Sequence, residues 1–203
     1  MDEMKLEDNK SAIAIVAHPD DETIWMGGTI ARNKKIAWTI FSLCRASDRD
    51  RAPKFKRVCE HYGAKSIIAD LDDEGKLSLQ EAKQKTKKII LEKIAFNKFD
   101  YIFTHGANGE YGHERHIAVY LAIDELIKAG KIKPETVFYF NYKKNKDNSL
   151  KPGSNSVINQ LSEKELLEKK RVVAEMYGYL PGGIDVGYCT NPEAFLNLET
   201  HNS

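Results

Sequence analysis

The feature that most constrains this chain is an alternation. Five short, continuous apolar runs are separated by stretches of helical periodicity. The runs are "SAIAIVAH" (11–18), "IAWTIFSL" (36–43), "KSIIADL" (65–71), "FDYIFTH" (99–105) and "ETVFYFNY" (135–142). They are rich in Ile, Val, Phe and Tyr, and they do not alternate apolar with polar. A strand that is apolar on both sides is covered on both faces, which is the signature of a parallel sheet built from βαβ units. The predicted fold class is therefore α/β, a Rossmann-like three-layer sandwich with a mostly parallel sheet. Right-handed crossovers are assumed, and the expected strand order is the doubly wound 3-2-1-4-5.

The intervening stretches are "ETIWMGGTIARNKK" (22–35), "DRAPKFKRVCEHYG" (50–63), "SLQEAKQKTKKIILEKIAF" (78–96) and "GHERHIAVYLAIDELIKAG" (112–130), all read as helices. Gly63 and Gly130 close two of them. "NYKKNKDNSLKPGSNS" (141–156) reads as an exposed loop. "SEKELLEKKRVVAEMYG" (162–178) restarts a helix, with Ser162 as N-cap and Glu165 completing a capping box. The tail from Leu180 onward has no clear pattern. No domain boundary is visible, and 203 residues suit one domain spanning 1–203.

Charge and composition narrow the class of partner. Lys+Arg 31 against Asp+Glu 30 gives a net charge of +1, so nothing sequence-wide favours nucleic acid or an anionic membrane. No stretch approaches the ~20 apolar residues of a membrane span. The opening "MDEMKLEDNKS" lacks the apolar core of a secretory signal. Cys44, Cys59 and Cys189 are odd in number and far apart, which argues against a disulfide scaffold or a thiolate zinc knot. The expected location is the cytoplasm.

In an open parallel sheet, ligands bind at the carboxyl ends of the strands, at the point where strand order reverses. The order above puts strands one and four side by side there. Strand one runs into "HPDDE" (18–22) and strand four into "THGANGEYGH" (104–113). Both loops carry metal-binding chemistry. His18 and Asp21 span one tight turn braced by Pro19, and imidazole nitrogen with carboxylate oxygen is an ordinary zinc donor set. A catalytic zinc needs about three protein ligands and an open position. His113 and His116, three apart at a helix start, share a face and supply the third ligand from the second loop. A lone HxxH is more often a pair of surface histidines. The coincidence of two motifs at one sheet end is what raises the signal. The adjacent acid that does not bind the metal is then placed to act as a general base. Glu22 either orients a ligand histidine or favours the helix N-terminus.

These two motifs, "AHPDDE" with "GEYGHERH", resemble the LmbE/PIG-L family of zinc-dependent N-deacetylases, and the strand and helix order from about Ser11 to Tyr142 agrees with that family's Rossmann-like fold. The resemblance implies that His18, Asp21 and His116 ligate the metal and that Asp20 is the general base. It implies that His113 stays off the metal as a charged or hydrogen-bonding stabiliser of the scissile carbonyl, and that Tyr111 also polarises it. It implies hydrolysis of the N-acetyl group of an N-acetylglucosamine-type sugar, small or carrier-linked. Zinc is the implied cofactor, with ferrous iron or another divalent ion as substitutes. A homo-oligomer is compatible with the sequence.

Other residues at this sheet end are weaker candidates. Arg45, in the loop after strand two, has the best claim among its neighbours to bind substrate. Asp72 and Asp73, after strand three, are at the same end; relatives often place an acid-glycine pair there, so Asp73 is a substrate-binding candidate beside a plain turn at Gly75. His105 is expected to anchor backbone or back a ligand, His61 to be structural, and His201 to be exposed. Trp25 and Met26 are expected in the core. The competing readings are an amidohydrolase or deacylase acting on a non-sugar amide, a non-catalytic Rossmann-like metal or nucleotide module, and a two-histidine-one-carboxylate iron oxygenase. The acidic first loop and the lack of GxGxxG argue against nucleotide binding.

Overall fold

The computed structural model describes residues 1–94 and 98–199. Its elements in chain order are β1 (Asp2–Glu3), β2 (Ser11–Val16), α1 (Asp21–Arg32), β3 (Ala37–Ser42), α2 (Arg51–Tyr62) and β4 (Lys65–Ile68). There follow α3 (Leu79–Ile94), β5 (Tyr101–Thr104), α4 (Gly109–Gly112), α5 (Glu114–Lys128) and β6 (Thr136–Phe140). The chain ends with β7 (Tyr142–Lys144), β8 (Leu150–Pro152), β9 (Val157–Asn159), α6 (Glu163–Arg171), a π-helical turn (Val172–Met176), α7 (Ile184–Gly187) and β10 (Glu193–Glu199).

The main sheet runs β1-β9-β10-β6-β5-β2-β3-β4. Five consecutive strands, β6-β5-β2-β3-β4, are parallel throughout. In order of appearance they read 5-4-1-2-3, the doubly wound order expected. The two faces of β2 explain why its sequence does not alternate. Ala12, Ala14 and Val16 pack toward α1, α2 and the π-helical turn, while Ile13 and Ile15 pack toward α3 and α5. Small residues on one face let α1 approach closely, and large ones on the other fill the gap to α3 and α5. Burying each isoleucine contributes about 1.5–3 kcal/mol.

Two expectations for the C-terminal third are corrected. The stretch 141–156 is not an open loop: β7 and β8 pair antiparallel, with Tyr142 opposite Pro152 and Lys144 opposite Leu150. Tyr142 anchors that hairpin in the core, and Asn148, at a positive φ, closes its turn. The apparently patternless tail forms β10, which runs antiparallel to β6 with Phe195 opposite Phe140. Its outer half alternates apolar and polar on a half-solvated edge, a weak signal in a short run. The capping box of α6 forms as expected. His201 lies outside the described residues.

Helix α1 breaks its own geometry at Met26 (φ −148°). The break frees the N–H groups of Gly28 and Thr29, and both donate to the buried Glu193 carboxylate at 2.8 and 2.7 Å. Lys169, also buried, donates to the same carboxylate at 2.9 Å. Strand β10 and helix α6 thereby fix the helix that begins with the "DDE" acids.

Candidate active site

The loops after β2 and β5 meet at the carboxyl end of the sheet. His18 Nδ1 lies 3.2 Å from Asp21 Oδ2. His116 Nε2 lies 3.4 Å from each of those atoms. A tetrahedral ion with bonds of about 2.0–2.1 Å separates its ligand atoms by about 3.3–3.4 Å. The three donors thus match one face of such a site. Their other atoms are held elsewhere. Asp21 Oδ1 accepts from Trp25 Nε1 at 3.1 Å, leaving Oδ2 toward the histidines. His116 Nδ1 donates to Glu110 Oε2 at 2.5 Å, which frees Nε2.

Other donor sets in the same cluster fit less well. His105 Nε2 accepts from the Ala17 N–H at 2.9 Å, so its lone pair is taken. Its Nδ1 then bears the proton and donates to Glu110 Oε2 at 2.9 Å. His113 Nδ1 accepts from the Arg115 N–H at the start of α5. Cys44 lies near His18 and Asp73, but burial pushes its thiol up and Arg45 Nε occupies Asp73 Oδ2 at 2.7 Å.

Glu110 was not singled out in the sequence, although it sits inside the second motif. It is fully buried and accepts from His105, His116 and the Gly106 N–H. Burial opposes its charge, but the two imidazoles outweigh burial and hold its pKa down at about 2. Its backbone is at φ 58°, a conformation that an L-residue adopts at a cost. The flanking Gly109 and Gly112, also at positive φ, allow the tight turn. That turn is the available signal: an acid between glycines, six residues before a histidine in the first turn of the next helix.

The electrostatics divide the site. Burial would depress His116, but the Asp21 and Glu110 carboxylates outweigh it and raise its pKa to about 10. Burial likewise opposes the Asp21 charge, yet the surrounding histidines hold it well below the usual carboxylate range. His113 moves the other way: burial and the neighbouring imidazoles lower it to about 4. A neutral His113 whose Nδ1 accepts carries its proton on Nε2. Asp20 is pushed well above the usual range by burial and by the adjacent Asp21.

Asp20 has the strained backbone φ of 124°. Its Oδ2 accepts from Tyr179 Oη and from Arg51 Nη1. Glu22 bonds to no histidine among the described residues. Its Oε2 accepts from the Asp20 N–H at 3.1 Å, and its Oε1 accepts from Thr23 Oγ1 and Tyr177 Oη, both at 2.7 Å. The hydrogen bond to a candidate ligand histidine, one of the two roles expected for Glu22, is made instead by Glu110, to His116.

A cavity of about 320 Å³ opens over His18, Asp20 and Asp21. Tyr111 and His113 line it, as do Arg45 and Asp73. The last two are paired with each other, and Arg45 also approaches Asp48 at 3.5 Å. Asp72 points away, toward Arg115. The Tyr111 ring, on its glycine-flanked turn, stacks on Tyr188 at 4.8 Å. Trp25, expected as core, is buried and also lines the cavity. His61 lies at the end of α2, 3.4 Å from Glu168 and remote from this cluster.

Comparison with known proteins places this arrangement. Among solved structures, a conserved protein from Thermus thermophilus is 17% identical with TM-score 0.69, covering 96% of this chain and 97% of that one. The N,N'-diacetylchitobiose deacetylase from Pyrococcus horikoshii is 15% identical with TM-score 0.61, covering 94% and 84%. The 4-carboxy-2-hydroxymuconate hydratase from Pseudomonas putida is 16% identical with TM-score 0.60, covering 89% and 82%. At such identities the likeness is one of fold. The sequence profile of the PIG-L family, described as GlcNAc-PI de-N-acetylase, matches residues 13–127. That span holds His18, Asp20, Asp21, Glu110, Tyr111, His113 and His116, and on it the chain belongs to the PIG-L family.

Proposed function

We propose that this protein is a metal-dependent N-deacetylase that removes the acetyl group from an N-acetylglucosamine-type sugar or conjugate. The observation that carries the reading is the triangle of His18 Nδ1, Asp21 Oδ2 and His116 Nε2, with edges of 3.2, 3.4 and 3.4 Å, beside the Asp20 carboxylate, whose Oδ1 has no partner among the described residues. His18, Asp21 and His116 would hold a divalent ion, zinc being the best match to two imidazoles and one carboxylate. Such an ion supplies Lewis acidity to an amide carbonyl and brings the pKa of water to about 7.

The chain's own groups do the rest. Asp20 Oδ1, unpartnered among the described residues, takes a proton from the attacking water as its oxygen bonds to the amide carbon. His113 Nε2–H, and the Tyr111 hydroxyl from the cavity wall, donate to the oxygen that becomes negative; such a donor is worth about 3–4 kcal/mol. The proton on Asp20 then passes to the nitrogen as the C–N bond breaks, giving acetate and a free amine. His113 acts here as a neutral donor, in keeping with its lowered pKa. Arg45 and Asp73, paired at the cavity wall, present a guanidinium edge and a carboxylate to sugar hydroxyls. The chain acts as a single domain in this reading, and the cytoplasm is its proposed location.

The test is acetate release from a panel of N-acetylglucosamine conjugates, with zinc and with ferrous iron, alongside simple acyl amides. Acetate from sugars with metal supports the reading. Turnover of the simple amides alone moves the assignment to a general amidohydrolase, and no acetate from any member rejects it.

A further inference from the structure

The family match ends at residue 127, but the site does not. Two tyrosines from the C-terminal third reach the same residue by different routes. The π-helical turn Val172–Met176 delivers Tyr177, and Gly178, at φ 83°, reverses the chain before Tyr179. Tyr179 Oη donates to Asp20 Oδ2. Tyr177 Oη donates to Glu22, whose other oxygen accepts from the Asp20 N–H. One tyrosine therefore grips the side chain of Asp20 and the other, through Glu22, its strained backbone.

Arg51 locks the first grip. Its guanidinium donates to both Tyr179 Oη and Asp20 Oδ2, and its Cζ lies 4.5 Å from the centre of the Tyr179 ring. The three groups form a closed triangle on one carboxylate oxygen. Asp20 Oδ1 has no partner among the described residues. Asp21 shows a related division: Trp25 holds Oδ1, while Oδ2 accepts from the His18 N–H and faces the histidines. In each acid an aromatic N–H or O–H donor fixes one oxygen and the other is presented to the site.

We infer that Tyr179, clamped by Arg51, is a positioning residue that aims the free oxygen of Asp20 at the attacking water. The inference rests on the proposed deacetylase reading, and it makes the C-terminal segment part of the working site. An unclamped aspartate side chain samples several rotamers, and most of them point Oδ1 away from the nucleophile. Misplacing a catalytic group by about 1 Å can cost about a hundredfold in rate.

The test is a double-mutant cycle on the metal-loaded protein. Tyr179→Phe keeps the ring and removes the grip; kcat is expected to fall about tenfold or more, with KM and bound metal unchanged. In an Asp20→Asn background the same substitution is expected to cost nothing further. Arg51→Gln is a second route to the same loss. An unchanged kcat in Tyr179→Phe overturns the inference, as does an equal loss in both backgrounds, which is the mark of a merely structural role. Full activity in Asp20→Asn alone instead overturns the general-base reading beneath it. A crystal structure of Tyr179→Phe gives a readout free of turnover. Asp20 is expected to adopt more than one rotamer, and a single unmoved rotamer overturns the clamp.

Discussion

His116 and Glu110 are joined by a fully buried hydrogen bond of 2.5 Å, Nδ1 to Oε2. The bond fixes the ring so that Nε2 faces His18 and Asp21. The same carboxylate also accepts from His105 and from the Gly106 N–H. Three donors converge on one side chain, so Glu110→Gln would bring an amide N–H against at least one of them. The expected outcome is a 10- to 100-fold weaker metal affinity, with a stability loss of about 1–3 kcal/mol. Competition against a chelator and chemical denaturation check the two parts. Unchanged affinity would show that Glu110 does not tune the site.

The charge state of the metal-free cluster gives a pH test. His116 has an ordinary value of 6.5 and is raised to about 10 in the folded protein. A raised folded pKa contributes stability that is full below about 6.5 and is lost as pH rises through 10. Glu110, ordinarily 4.5 and held at about 2, contributes stability present above 4.5 and lost as pH falls toward 2. The thermal midpoint of metal-free protein is therefore expected to fall between pH 7 and 10. On the proposed reading a metal ion would take the place of the His116 proton, so the loaded protein is expected to lose less over that range. Parallel curves for the two forms would contradict the assignment. Calorimetry at pH 7 in buffers of differing ionisation enthalpy should also register proton release on metal binding.

Gly106 offers a purely steric test. A Cβ there would lie 2.1 Å from the Phe140 carbonyl oxygen, which is backbone and has little room to yield. Gly106 also carries the N–H that Glu110 accepts. Gly106→Ala is expected to destabilise by about 1–3 kcal/mol and to weaken metal binding through the displaced Glu110 turn. A variant of wild-type stability and affinity would show that this turn tolerates displacement.

The meeting of the two loops was legible in the sequence because local rules fix both ends of it. Doubly covered strands dictate a parallel sheet, the sheet dictates where loops gather, and "HPDD" and "GHERH" sit in those loops. The strands of the C-terminal third were not legible. β10 pairs with β9 only over Glu193–Phe195, and beyond it Leu196 and Leu198 are exposed, so it lacks the continuous apolar run that marks β2, β3, β5 and β6. Tyr177 and Tyr179 were invisible for a different reason. They are ordinary aromatic residues near a helix end, and only the packing of the π-helical turn against α1 and α2 carries them to Asp20. Glu110 lies inside the "GEYGHERH" motif, where its glycine-flanked position is visible. Its role depends on an unusual φ and on the facing ring of His105, neither of which spacing reveals.

Trp25 separates the geometry of Asp21 from mere packing. Trp25→Phe keeps an aromatic ring in the core but removes the donor to Asp21 Oδ1. The expected result is a loss of metal affinity of about tenfold, as for other partners behind a metal ligand. Equal affinity in the two proteins would place the control of Asp21 elsewhere.

The most direct test of the proposed chemistry is the rate of acetate release by metal-loaded Asp20→Asn, with bound metal measured on the same sample. The expected result is one ion per chain, as in the wild type, with the rate reduced at least about a hundredfold. A full rate with the ion in place would contradict the role of Asp20. Loss of the ion would mean that Asp20, and not Asp21 alone, holds the metal.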